Sequence, residues 1–266
     1  MQSATSAISF SELSVRTRHP AFRSLSDCIA RFVGDEWPTL SELNQRSGLS
    51  DFLFVPSVAA GLSYEQQIFT RREIPTRTGN WHDFFNALIW MAYPHAKRTL
   101  SARHAAILAA GGEAERRRRS PIRDSLTLLD EGGVVVAYSD SRVPQLLRGF
   151  EWRALFWDLR VELRERWQVF VFGHASLERL LEPLIGLTNK CLLMPVDANF
   201  FAQSALEQRM QVDQWVATSL LDDALLSVTR NLPPLPLLGI EGYHPRTQHA
   251  EFYNDSSYFR LSYQKP

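Results

Sequence analysis

The sequence predicts a single domain of mixed α/β fold, on three observations. Residues 167–172, 175–184 and 190–196 run as apolar strand, helical pattern and apolar strand. Such a strand–helix–strand unit ordinarily builds a parallel pair through a right-handed crossover. Residues 126–138 have the form of a β-hairpin, two apolar arms around Gly132-Gly133, with a helix as the rival for the first arm. Most of the remaining chain repeats its apolar residues at helical spacing, so several helices should flank the sheet. With 266 residues, 45% of them hydrophobic and 22% charged, the chain is long enough for one large core and too apolar for disorder.

In chain order, residues 1–19 are expected to form a poorly ordered arm and residues 20–266 the domain. Helical patterns cover 21–33 and 39–47, the second opened by Thr39 after Pro38, with Glu42 completing a capping-box pattern. Residues 52–55 and the mixed run 64–74 look like strands around the turn-prone Ala60-Gly61, ended by Pro75 and Gly79. Residues 80–92 then form a helix. Pro94 breaks or kinks it, and a second helix should continue to about residue 110, where Gly111-Gly112 stops it. Residues 113–120, with four arginines in succession from Arg116 to Arg119, read as a solvated loop, and Pro121 suits the first position of the next element. Helical patterns follow over 141–149 and 151–165. Beyond the strand–helix–strand unit come a long helix over about 201–221, the proline-rich residues 233–236 and a tail containing glycine and tyrosine.

Charge and cysteine content remove several function classes. Lys+Arg and Asp+Glu both total 29, so no global field favours nucleic acid or an anionic membrane. Cys28 and Cys191 lie far apart with no CxxC spacing, which speaks against a disulfide framework or a cysteine zinc site and fits a reducing cytoplasm. No positively charged start precedes an apolar run at the N-terminus, so no signal peptide is expected. The longest apolar stretch, residues 84–93, is far below the ~20 residues that span a bilayer. Neither a Walker A motif nor GxGxxG is present.

The helix at 80–92 is the strongest functional signal. At ~100° per residue, His82, Asp83, Asn86 and Trp90 share roughly a quarter of the circumference, and the rest is apolar. A helix so apolar should be buried, and its polar stripe must then meet partners, a metal or a ligand. Asn80 suits the N-cap and Asp83 the first turn, whereas His82 and Asn86, four residues apart, could hold a ligand or one metal. HExxH, the zinc-protease pattern, is absent. His174 begins the helix after an apolar strand, at a carboxyl end where α/β sheets bind ligands, with Glu178 one turn on to orient or cap it. Arg123-Asp124 and Asp130-Glu131 bracket a short apolar run, and such carboxylates could supply hard-metal ligands or a general base; for Asp130 and Glu131, before two glycines, the turn reading leads. His104 reads as a packed or solvated helical histidine. The arginine run lacks interleaved aromatics and reads as a charged loop rather than a nucleic-acid contact.

Four segments, residues 80–87, 121–131, 172–175 and 237–240, together with Phe252-Tyr253-Asn254-Asp255, resemble in that order a bacterial family known only as a domain of unknown function, DUF3025. The resemblance covers about residues 50–260. It implies a stand-alone bacterial protein and supplies no reaction, cofactor or site.

The resulting expectation is a cytoplasmic hydrolase acting on a small polar or phosphorylated substrate, in a cleft that gathers His82, Asp83, Asn86, Asp124 and His174. With a divalent metal, His82 and His174 give nitrogen ligands, Asp83 or Asp124 gives oxygen, and bound water is the nucleophile. Without one, His174 or His82 is the general base, held by Asp124 or Glu178. Asn86, Arg123 and Glu178 are the expected ligand-binding side chains. The competing expectation is a non-catalytic binding or interaction protein whose stripe is a buried structural network. Nucleic-acid binding through Arg116–Arg119 is a third.

Overall fold

The computed structural model describes residues 8–261. Its strands are β1 (Leu53–Val55), β2 (Glu73–Pro75), β3 (Gly133–Tyr138), β4 (Trp167–Val171), β5 (Thr188–Pro195) and β6 (Pro234–Pro236). Eight helices carry the argument: α1 (Leu40–Ser47), α2 (Tyr64–Arg71), α3 (Trp81–Ala92), α4 (Pro94–Arg117), α5 (Pro121–Gly132), α6 (Arg142–Gly149), α7 (His174–Arg179) and α8 (Ala205–Ser219). The fold is mixed α/β, as the composition of elements predicts. No helix among the described residues is long and apolar enough to cross a membrane.

The larger sheet has the order β4-β3-β5-β6, and β1 pairs with β2 in a separate parallel ribbon. Strand β3 is paired along both edges and buried along five of its six residues, in keeping with its continuous Val-Val-Val-Ala run rather than an alternating one. It pairs antiparallel with β4 (Val135 opposite Phe170) and parallel with β5 (Val135 opposite Leu192). The parallel pair expected of the strand–helix–strand unit therefore does not form: β3 lies between β4 and β5, which run in opposite directions. Six residues of α7 rise only ~9 Å, against ~17 Å for the five residues of β4, too short a return for a crossover. Instead β4 ends and β5 begins beside the start of β3, and the chain passes across that end of the sheet.

The expected hairpin at 126–138 is the helix–strand joint α5–β3. Ser120 caps α5, Pro121 opens it, and Leu126 and Leu129 are buried three residues apart on one face, so helical spacing prevails over the glycine pair. A Cβ on Gly133 would lie 2.4 Å from the Leu129 carbonyl oxygen, so glycine is what lets the strand start directly against the last helical turn.

The strand expected over 64–74 is mostly helix α2. Ser63 and Gln66 form a reciprocal capping box, and only after Arg72, in the left-handed region at φ 59°, does the chain extend into β2. The helix from Pro94 breaks at Gly112 (φ 53°, ψ −130°) but resumes to Arg117, so part of the loop expected over 113–120 is helical. From Ile8 onward the expected arm is packed: Ile8, Phe10 and Leu13 are buried, Phe10 stacks on Trp81, and the Trp81 indole donates to the Ile8 carbonyl. Residues 1–7 of that expectation lie outside the described residues.

Candidate functional site

Three elements converge on one cavity of about 360 Å³. Helix α3 starts where the Asn80 side chain accepts from the Asp83 amide, and it turns His82, Asn86 and Trp90 toward the cavity as its spacing requires. Helix α5 contributes Thr127, Asp130 and Glu131 from its last turns. Helix α7 presents His174 at its first position, brought close because Gly173 packs on Gly132-Gly133: a Cβ on Gly173 would lie 2.5 Å from the Gly132 Cα. Helix α4 lines the far side with Lys97, Leu100, Ser101 and His104, and α2 adds Tyr64 and Ile68.

At the centre, His82 Nε2 and His174 Nε2 lie 2.9 Å apart, and Glu131 Oε2 stands 3.9 Å from the first and 3.6 Å from the second. One ligand atom from each of these residues falls within 4.8 Å of the others. Behind them, His82 Nδ1 bonds Glu178 at 3.2 Å, and His174 Nδ1 faces Asp130, 3.9 Å from its carboxylate. Each imidazole thus has its inner nitrogen toward Glu131 and its outer one toward a second carboxylate, the arrangement that orients histidine ligands in metal sites. Asp130 also takes the buried Lys97 ammonium at 2.5 Å, and Lys97 bonds Asn86 Oδ1 at 3.0 Å.

Protonation follows from these contacts. The Glu178 bond raises the pKa of His82 above its ordinary value, against burial. Burial drives His174 down to about 4, which keeps it uncharged at neutral pH. Burial also pushes the Glu131 carboxyl up. For Asp130, burial opposes ionisation, but Lys97 and His174 outweigh it and leave the carboxyl below its usual range.

His82, His174, Asn86, Asp83 and Glu178 are brought together as the sequence predicts; Asp124 and Arg123 are not. Asp124 is exposed and two helical turns, ~10 Å, from Glu131 along α5, facing a different surface hollow. Arg123 is buried but braces the break in α4, donating to the Glu115 carbonyl and pairing with the Glu115 and Glu65 carboxylates. Asp83 lines the cavity, yet both its oxygens accept from the Arg77 guanidinium at 2.8 and 2.9 Å; burial opposes its ionisation and these bonds prevail, holding its pKa low. Glu131 occupies the place expected of Asp83 or Asp124 as the oxygen donor. Arg118 and Arg119 are exposed, and Arg119 stands on the cavity rim.

Sequence reasoning weighed Asp130 and Glu131 as metal ligands or a general base but left them out of the expected site, because the hairpin placed them in a turn. On a helix, Thr127, Asp130 and Glu131 share a face, a signal that the rival helical reading contained. It also missed Lys97 and Tyr64. Lys97, Ser101 and His104 do lie at i, i+4, i+7, but nothing in a lone lysine on a helix announces burial.

Residues 52–262 match the family model described as Protein of unknown function (DUF3025). The chain belongs to this family. Every cavity residue named above falls within the DUF3025 match, whereas the packed segment around Phe10 precedes it. No curated protein and no solved structure matches the chain.

Proposed function

We propose that the cavity is a divalent-metal centre, with His82 Nε2, His174 Nε2 and a Glu131 oxygen as ligands, and that the protein is a hydrolase acting there on a small polar substrate. The observation that carries this reading is the convergence of three ligand atoms from three separate elements on one cavity wall, within 4.8 Å of one another. Nitrogens bound tetrahedrally to zinc at ~2.0–2.1 Å sit about 3.3 Å apart, so the 2.9 Å histidine pair needs to open by only a few tenths of an ångström. Three protein ligands leave a position on the cavity side for water, whose pKa the metal lowers toward neutrality. Glu178 fixes the His82 ring, and the buried Lys97 ammonium, held by Asp130, offers positive charge for an anion developing on substrate.

A purely structural network fits less well. Its stripe would have every polar atom paired and no cavity beside it, and neither condition holds. A metal-free hydrolase is favoured by one observation, the Nε2···Nε2 distance itself, which suits a hydrogen bond; the histidine pair would then supply the general base once water or substrate takes the place of that bond, with Glu178 orienting His82. The two buried, unpaired cysteines support the cytoplasm as the working compartment.

Elemental analysis after dialysis against zinc or manganese tests the reading. We expect stoichiometric metal in the wild type and its loss in His82→Ala and His174→Ala. A wild type that takes up neither ion removes the metal centre and leaves the histidine base.

A further inference from the structure

Beside the metal cavity lies a second hollow of about 370 Å³, lined by Ser63, Gln66, Leu108, Arg117, Arg119 and Arg123. The start of α2 divides the two: Tyr64 and Glu65 line the cavity, and Ser63 and Gln66 line the hollow. On α4, Leu108 is one turn beyond His104 and marks the same passage from one to the other. Arg119 lines both. No ligand of the proposed metal reaches the hollow, and from the Ser120 cap to Glu131 helix α5 rises ~16 Å.

Three guanidinium groups and no carboxylate line this hollow. Arg123 is already engaged, with the Glu65 and Glu115 carboxylates at 3.7 and 3.9 Å. Arg119 is exposed and has no hydrogen bond or ion pair among the described residues. Gln66 Oε1 accepts from the Ser63 amide, so the Gln66 amide nitrogen is a donor, and it too has no partner among the described residues. Positive charge and free donors call for an anion rich in acceptor oxygens.

The acids of the cavity do not offset Arg119. Asp83 is bound by Arg77, Asp130 by Lys97, Glu65 faces Arg123, and Glu131 is committed to the metal. With a divalent ion in place, positive charge is therefore left at two points, the metal and Arg119. Ile68, Pro75 and Leu100 supply apolar cavity wall for the body of a ligand that extends from one to the other.

We propose that the hollow binds a phosphate group of the substrate, with Arg119 as the specificity-determining residue, while the bond to be hydrolysed lies at the metal. The inference rests on the hydrolase reading of the cavity and names its substrate class, a small phosphorylated compound whose phosphate is the anchored end and not the reacting group. A phosphate monoester carries about −1.5 to −2 charge at neutral pH and three strong acceptor oxygens, and arginine presents a planar fork of donors that matches them. A carboxylate brings a single charge and two oxygens to the same donors.

The test is calorimetric titration of the full chain with phenyl phosphate and with benzoate, in samples dialysed against zinc and in samples dialysed against a chelator. Phenyl phosphate should bind in both, because its phosphate sits in the hollow, and should bind more tightly than benzoate. Arg119→Gln should weaken phenyl phosphate by about tenfold or more, the scale of one charged hydrogen bond, and Arg118→Gln, which removes a neighbouring charge from outside the hollow, by less than about twofold. Both arginines are exposed and without partners among the described residues, so both variants should fold. Affinity unchanged in Arg119→Gln, an equal fall in Arg118→Gln, benzoate bound as tightly as phenyl phosphate, or binding abolished by the chelator would overturn the assignment. Zinc content of the same samples answers for the metal centre, and the Arg119 variant for the phosphate site, so the two failures are told apart.

Discussion

Two buried polar clusters in this molecule behave differently. Around Arg209 on α8, the guanidinium bonds the Ser24 carbonyl and both oxygens of Asp27, and Asp213 on the same helix accepts from the His95 and Ala96 amides at the start of α4. Arg209 and Asp213 are buried and both are paired. Around His82 and His174, by contrast, Trp90, Ser101 and His104 each keep a buried atom without a hydrogen-bond partner among the described residues, and their side chains line a cavity. Sequence composition does not separate the two clusters, since both mix acids and bases on helices. The difference is closure: the first is paired and ties helices together, and the second keeps unpaired polar atoms on side chains that line a cavity.

The largest way to break this contrast is at the point where the open cluster is most closed. Lys97 is 2% exposed and its partner Asp130 lies beside it, so Lys97→Met strands a buried carboxylate and should cost ~3–5 kcal/mol in urea unfolding. The double variant with Asp130→Asn should recover part of that loss; if it does not, the ion pair is not what holds this wall. Next in size is Asp213→Ala, which leaves the first amides of α4 without their acceptor and should destabilise by about 1 kcal/mol. Ser101→Ala sharpens the comparison by sign: deleting an orphan hydroxyl should leave stability unchanged or raise it by a few tenths of a kcal/mol. A clear loss of stability in Ser101→Ala would mean that its hydroxyl is paired and the far end of the cavity is closed like the Arg209 cluster.

The smallest effect is with pH. The Arg209 guanidinium holds Asp27 below the ordinary carboxyl value of 3.8, against partial burial. Its folded pKa is depressed, so the associated stability is present above the unfolded value and is lost as pH falls through the folded one. Thermal melts stepped from pH 5 to pH 3 should therefore show a steeper fall for the wild type than for Asp27→Asn. Parallel curves would remove Asp27 from the account. Because Asp27 is 45% exposed at its side chain, the difference should be small.

What the sequence makes legible follows from local chemistry. The Asn80 cap, the Thr39–Glu42 capping box, the Pro121 helix start and the polar stripe of α3 all depend on neighbours within one turn, and all are found. Ser63 and Gln66 carried the same kind of signal for α2, but the mixed run that follows also fits a strand. The site was legible in half. His82, Asn86 and His174 announce themselves by an apolar helix and by the end of a strand, whereas Glu131 and Lys97 depend on the approach of α4 and α5 across the cavity. Asp124 and Asp130 look alike as helical acids; only the offset of six positions, which turns one outward and one inward, decides which meets the histidines.

The central claim is that His82, His174 and Glu131 hold one metal ion. An anomalous difference map at the zinc edge, from crystals grown with zinc, tests it most directly. We predict one peak about 2.0–2.2 Å from both Nε2 atoms and a Glu131 oxygen, with the histidine nitrogens spread to about 3.3 Å. A map with no peak there, and with the His82–His174 pair still at hydrogen-bond distance, would contradict it.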